Sequence, residues 1–168
     1  MKHATYHTVD DIIVVNIRGP WITKSGGELN VLFALPQDQL EQFLDFDNPE
    51  FNTFSTNVRG LRSYIVSNIS KGSIGAMEWH KARTEYLGAL DGEALLECVD
   101  LNGGTRQFIL DSSTSVIVPC SILHTYTALK DNTRLQVIAN TLFDPEDETT
   151  HDSYTLESFY EQVRIRSK

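Results

Sequence analysis

Short runs of strand-forming residues, broken at close intervals by turn dipeptides, fill this 168-residue chain from Arg62 to Asn140. The pattern predicts strands over 63–69, 75–80, 85–90, 94–99, 107–110, 115–119, 123–129 and 134–140. The breaks carry Lys71-Gly72, Asp91-Gly92, Asn102-Gly103-Gly104 and Lys130-Asp131-Asn132. Asn-Gly and Asp-Gly favour tight hairpins because both residues tolerate positive φ. Two earlier runs, 11–17 and 29–35, bring the total to about ten strands, too many for an open sheet and typical of a jelly roll or closed barrel. Residues 36–46 fit a short helix or an irregular loop. In the tail, Leu156, Phe159, Tyr160 and Val163 recur at helical spacing, which predicts one C-terminal helix over 155–163.

Bulk properties narrow the class. With 40% hydrophobic and 22% charged residues, the chain reads as one globular domain spanning 1–168. The net charge of −9 argues against a nucleic-acid partner, which needs a basic surface to displace counterions. No apolar run approaches the ~18 residues of a membrane span. The first residues lack the apolar stretch of a secretory signal, so a cytoplasmic location is expected. Cys98 and Cys120 form no C-x-x-C pair and read as buried or idle thiols. His3 and His7 receive no role.

The chemically informative stretch runs from Gly72 to Gly92 with the spacing G-x5-E-x-H-x4-E-x6-G, set by Glu78, His80 and Glu85. A strand sends alternate side chains to one face, so Glu78 and His80 point the same way. A hairpin later, Glu85 can turn back toward them. A carboxylate opening the apolar run Tyr86-Leu-Gly-Ala-Leu90 needs a partner if it is buried. His124 follows five residues after Pro119.

These stretches resemble the two sequence motifs of the cupin superfamily. The first, G-x5-H-x-H-x4-E-x6-G, is matched at both glycines, His80 and Glu85, with Glu78 in place of the first His. The second, G-x5-P-x-G-x2-H-x3-N, is matched at Pro119 and His124, with Ser113, Ser121 and Ala128 replacing the glycines and the Asn. The resemblance covers roughly 63–154. It implies an all-β fold, the cupin double-stranded β-helix or jelly-roll barrel, with the motif-bearing barrel over about 62–145 and a short C-terminal helix.

Within the superfamily, Trp79-His-Lys-Ala-Arg-Thr-Glu85 and Ala139-Asn-Thr-Leu-Phe-Asp-Pro145 are similar to runs in the C-terminal cupin of capsular-polysaccharide sugar reductases. Other short runs resemble the dTDP-4-dehydrorhamnose 3,5-epimerases. The resemblance implies an epimerase or keto-isomerase of a nucleotide-linked 4-keto-6-deoxysugar, in surface-polysaccharide or deoxysugar synthesis, working by proton removal beside the ketone. It implies a homodimer paired through N-terminal strands, with 11–17 contributing. His80 matches the family base, and Asp152 corresponds to the carboxylate that orients it. His124 would polarise the ketone. Arg62, Lys81 and Arg83 suit a diphosphate, and Glu85 belongs to the same substrate-facing set.

Two departures bear on that chemistry. The family's Arg three residues before the base is Met77 here, and Val137 stands where a late strand supplies a Tyr acid. Without that Tyr, the residues leave open a single epimerisation, a keto-isomerisation, or another acid such as Tyr86 or Tyr126. The cofactor is either none or one divalent metal, held by Glu78, His80, Glu85 and His124, with the extra carboxylate favouring a harder ion. A metal-dependent oxygenase or lyase and a non-catalytic sugar-binding cupin are the alternative functions.

Overall fold

The computed structural model describes residues 6–166, so His3 lies outside the described residues. Two five-stranded antiparallel sheets face each other. The first has the order β1 (Ile13–Asn16), β9 (Thr114–Val118), β6 (Glu85–Asp91), β11 (Thr133–Thr141), β4 (Arg59–Ile69). The second runs β12 (Tyr154–Thr155), β5 (Ile74–Trp79), β10 (Leu123–Ala128), β7 (Ala94–Val99), β8 (Thr105–Leu110). A separate hairpin joins β2 (Arg18–Ile22) to β3 (Glu28–Val31). Helix α1 (Gln37–Leu44) occupies the stretch whose spacing allowed a helix or a loop, and α2 (Leu156–Arg166) ends the described chain. Among the described residues no helix is long and apolar enough to cross a membrane.

The eight strands predicted from residue 63 onward all form, with ends within a few residues of those expected. Two strands escape the pattern. The run 11–17 forms β1, and β2 begins just beyond it at Arg18. The two-residue β12 is too short to leave a periodicity. β1 and β12 also carry the two sheets beyond the 62–145 limits of the motif-bearing stretch.

Alternation along the strands builds the core. Leu87 and Ala89 of β6, Leu96 of β7, Val116 of β9 and Leu135 of β11 point between the sheets. Tyr86 and Ile117 point outward from the first sheet and are covered by Phe43 of α1. Trp79, Leu101, Leu123 and Phe159 pack α2 on the outside of the second sheet, and Trp79 Nε1 donates to Ser158 Oγ at 2.9 Å. Because β6 is covered on both faces, its sequence reads as an unbroken apolar run after Glu85. Gly92 sits at φ 77° between β6 and β7, where a Cβ would lie 2.4 Å from Thr133 Oγ1. Glycine is therefore required there for both backbone and space.

One irregularity positions the site. Ala76 and Met77 both have left-handed φ, 62° and 61°, which non-glycine residues rarely adopt. The β5–β10 register shifts at this point: His124 pairs with Glu78, and Thr125 with Ala76, leaving Met77 as the extra residue of a bulge. The bulge re-aims the end of β5, so Glu78 and His80 turn inward while Trp79 turns out against α2.

Candidate active site

Glu85 begins β6 on the same face as Leu87, so its carboxylate enters the barrel with the apolar core. It is 2% exposed and surrounded by partners. Glu85 Oε2 lies 3.5 Å from His80 Nε2 and 3.4 Å from His124 Nε2. Oε1 lies 3.3 Å from Arg83 Nη1 and accepts from the Tyr64 hydroxyl at 3.3 Å. Two strands and the loop after β5 thus deliver two imidazoles, a guanidinium and a phenol to one carboxylate.

Both imidazoles are oriented from behind. His80 Nδ1 is hydrogen-bonded to the backbone carbonyl of Asp152, and His124 Nδ1 to that of Ile122 at 3.2 Å. A carbonyl only accepts, so each Nδ1 carries a proton and each Nε2 is the atom left for chemistry. His80 Nε2 is buried and has no hydrogen-bond partner.

Electrostatics follow from this geometry. Burial pushes the Glu85 carboxyl up, but the neighbouring His80 ring and the hydrogen bond from His124 outweigh it and hold the group well below its ordinary range. Burial lowers the His124 imidazole, while its hydrogen bond to Glu85 and the charges of Glu85 and Glu78 raise it above its ordinary value. His124 is thereby favoured as the imidazolium, which gives Glu85 a proton donor.

The expected residues fall into different places. Asp152 does orient His80, but through its backbone oxygen. Its carboxylate accepts three backbone N–H groups, from Lys81, Ala82 and Arg83, at 2.9, 2.9 and 2.8 Å. The carboxylate facing the His80 ring is Glu85 instead. β12 explains the arrangement, because pairing Tyr154 with Trp79 lays Asp152 beside the end of β5. Lys81 points its Nζ over the Tyr154 ring at 4.5 Å. Arg83 is 3% exposed, bonded to Thr141 Oγ1 at 3.1 Å, with its Nη2 buried and unpartnered. It serves the interior rather than solvent. Tyr86 points away from the barrel interior and donates to the Leu32 carbonyl at 2.8 Å.

Two cavities adjoin the cluster. One of about 420 Å³ is lined by Arg62, Tyr64, Glu78, Arg83, Phe143 and Ser153. A smaller one of about 140 Å³ lies inside the barrel and includes Glu78, Glu85, His124, Tyr64, Tyr126 and Val137 in its walls. Glu78 and Tyr64 border both. Arg62 lies between aromatic rings, 4.9 Å from those of both Tyr64 and Phe143, with its Nε buried and unpartnered. Tyr126 packs across its strand partner Gly75, where a Cβ would meet the ring at 2.2 Å.

Tyr64 and Phe143 were not singled out from the sequence. Tyr64 was findable, since it lies two residues after Arg62 on a strand and so shares its face. It also bears on the absent family Tyr: Val137 pairs directly with Tyr64 across β11 and β4. A phenol therefore reaches the same cavity from the neighbouring strand. Burial, and then Glu85, push this phenol upward, which keeps it protonated as a donor.

The metal set divides. Donor atoms of Glu78, His80 and His124 lie within 4.8 Å of one another, and the unpartnered His80 Nε2 fits a ligand role. Glu85 is the fourth predicted ligand, and its Oε1 is already engaged by Arg83 and Tyr64. The three donors fit a divalent ion, with imidazole and carboxylate able to supply a Lewis-acid centre for a bound oxygen.

The charge cluster sets a pH window for stability. The His124 contribution is fully present below its unfolded value of 6.5 and is lost as pH rises through the raised folded value. The Glu85 contribution is present above its unfolded value of 4.5 and is lost as pH falls through the depressed folded value. Urea unfolding across these limits should show greatest stability between them. His124→Asn should flatten the decline on the alkaline side, and an unchanged decline would contradict the pairing.

No protein-family model and no curated protein matches the sequence. Solved structures do match. The sugar 3,4-ketoisomerase QdtA of Thermoanaerobacterium thermosaccharolyticum, in complex with TDP, superposes with TM-score 0.63 at 14% identity, covering 94% of this chain and 98% of that one. A 3,4-ketoisomerase of Helicobacter canadensis gives 0.62 at 12%, over 92% and 98%. The rmlC epimerase of Mycobacterium tuberculosis gives 0.59 at 15%, over 92% and 72%. At these identities the likeness is one of fold, and the chain has the RmlC-like cupin jelly roll.

Proposed function

We propose that the protein is an epimerase or keto-isomerase of nucleotide-linked keto-sugars, moving a proton at the carbon beside a ketone. One observation carries the reading. Two buried imidazoles, each locked at Nδ1 by a carbonyl, aim Nε2 at a single carboxylate oxygen beside a cavity with arginine in its wall. Such a pair divides labour: one ring holds a proton, the other has a lone pair to accept one. The fold supports the same reading, since a QdtA variant of this fold has been solved with TDP-4-keto-6-deoxyglucose.

In this scheme His80 Nε2 takes the proton from the carbon beside the ketone. His124 gives its Nε2 proton to the ketone oxygen, producing an enol. Delivery of a proton from Tyr64 to the same carbon on the opposite face epimerises it. Return of the carbon-bound proton to the former carbonyl carbon, as the neighbouring hydroxyl gives up its proton, moves the ketone. Glu85 remains ionised and stabilises whichever imidazole is charged. Tyr64 is the donor for the opposite face, with Tyr126 second. Glu78, within 4.8 Å of His80 and bordering both cavities, meets the bound sugar beside that base. The open guanidinium nitrogens of Arg62 and Arg83 bind sugar or phosphate oxygens.

Incubation with TDP-4-keto-6-deoxyglucose in D₂O should place deuterium beside the ketone. His80→Asn should slow that exchange by roughly 10²–10⁴-fold. Absence of exchange, or full exchange in His80→Asn, sinks the proposal.

A metal-dependent oxygenase or lyase is the second reading, favoured by the proximity of Glu78, His80 and His124. It predicts one bound transition metal in the purified protein, lost on His124→Asn. Elemental analysis showing no metal that depends on His124 would remove this reading.

The working form is proposed to be a homodimer. β1 leaves one edge of the first sheet open, and the β2–β3 hairpin exposes Trp21, Ile22 and Leu29. Contiguous apolar surface of this kind marks an interface. Light scattering should give twice the chain mass, and a monomer at micromolar concentration would contradict it.

A further inference from the structure

A second group of ligating side chains lies apart from Glu85 and its partners. His7 precedes the 3₁₀ turn Val9–Asp11, Asp45 caps the C-terminus of α1, and Cys120 lies in the turn between β9 and β10. Far apart in sequence, they converge so that an imidazole nitrogen, a carboxylate oxygen and the Cys120 sulfur all lie within 4.8 Å of one another.

The surroundings are those of a sulfur prepared as an acceptor. Asn48, 5% exposed, aims its side-chain Nδ2 at Cys120 Sγ at 3.4 Å, and Ser121 Oγ approaches the same sulfur at 4.0 Å. Asn48 is fixed in that role, because its Oδ1 accepts from Glu50 N at 3.0 Å and its own N–H reaches the Asp45 carbonyl at 2.9 Å. Asp11 Oδ2 lies 3.8 Å from His7 Nδ1, which places a second carboxylate beside this imidazole. The backbone is held in uncommon conformations on both sides, with Asp45 at φ 38° and Ser121 at φ 70°.

We propose that His7, Asp45 and Cys120 bind one divalent ion of the zinc class, joining the N-terminal segment and α1 to the turn that leads into β10. Sulfur, nitrogen and oxygen together select a borderline ion and disfavour magnesium and calcium, which take oxygen ligands. A thiolate, a carboxylate and a neutral imidazole balance a double positive charge. Three protein donors leave one tetrahedral position for water. The ion is structural toward the candidate active site: Ser121 N donates to the His80 carbonyl at 2.8 Å, so the tied turn also braces the residue proposed as base. This inference is independent of the proposed reaction.

Cobalt(II) reports directly on such a site. Chelator-stripped full-length protein should take up one equivalent with a thiolate-to-cobalt charge-transfer band and tetrahedral d–d absorption, both displaced by zinc. The charge-transfer band should vanish in Cys120→Ser and persist in Cys98→Ser and His124→Asn. Because Cys120 is buried, the better-exposed ligands give the decisive variants: His7→Asn and Asp45→Asn should each weaken cobalt binding by more than about tenfold, and Asn48→Ala by about 10–100-fold. Absence of a charge-transfer band at stoichiometric cobalt, or unchanged affinity in both His7→Asn and Asp45→Asn, overturns the proposal.

Discussion

Everything at the centre of this barrel depends on keeping one buried carboxylate ionised. Glu85 is 2% exposed in an apolar interior, where an isolated charge is strongly unfavourable. Its two oxygens face His80, His124, Arg83 and Tyr64, so the negative charge is compensated from two strands and a loop. Removing one partner of such a buried group costs about 3–5 kcal/mol, because the remaining charge stays in place without compensation. The arrangement therefore constrains much of the barrel to deliver its side chains together. It also sets two histidines around a shared anion, with His124 favoured as the imidazolium.

The scaffold achieves this with local distortions rather than regular strands. The Ala76–Met77 bulge turns the end of β5 so that Glu78 and His80 enter while Trp79 leaves to anchor α2. The loop that follows is held by Asp152, whose carboxylate accepts three consecutive N–H groups while its carbonyl sets the His80 tautomer. One residue thus acts on the site twice, through side chain and backbone, without facing a cavity. Asn140, from the run resembling capsular-polysaccharide enzymes, is structural in the same sense: it binds Thr84 N and the Leu44 carbonyl, each at 2.8 Å. Phe143, three residues on, enters the cavity wall.

Strand positions were legible in the sequence because period-two alternation and Gly-bearing turns are local signals, and Glu78, His80, Glu85 and His124 were legible through the motif resemblance they carry. Roles that depend on distant partners were not. Arg83 reads as a diphosphate-binding cation beside Lys81, yet it is buried against Glu85, whereas Lys81 lies over Tyr154. Asp152 reads as a histidine-orienting carboxylate through the family resemblance, but a two-residue strand decides that its carbonyl does the orienting. Tyr64 reads as one more strand aromatic until pairing sets it opposite Val137, where the expected phenol is missing.

The sequence by itself determined the all-β class, the order of the barrel strands, the C-terminal helix and the four polar residues at the centre. The strands and the helix follow from side-chain periodicity and from turn residues whose φ preferences act over two to four positions, and the four polar residues follow from the motif resemblance. Only the tertiary structure decided which oxygen faces which nitrogen, which arginine is interior, and that His7, Asp45 and Cys120 meet. Those facts depend on register, on a single-residue bulge and on chain segments brought together across the whole fold. Pairing geometry of that kind is settled by packing the complete barrel, and it leaves no periodic trace in any one stretch of chain.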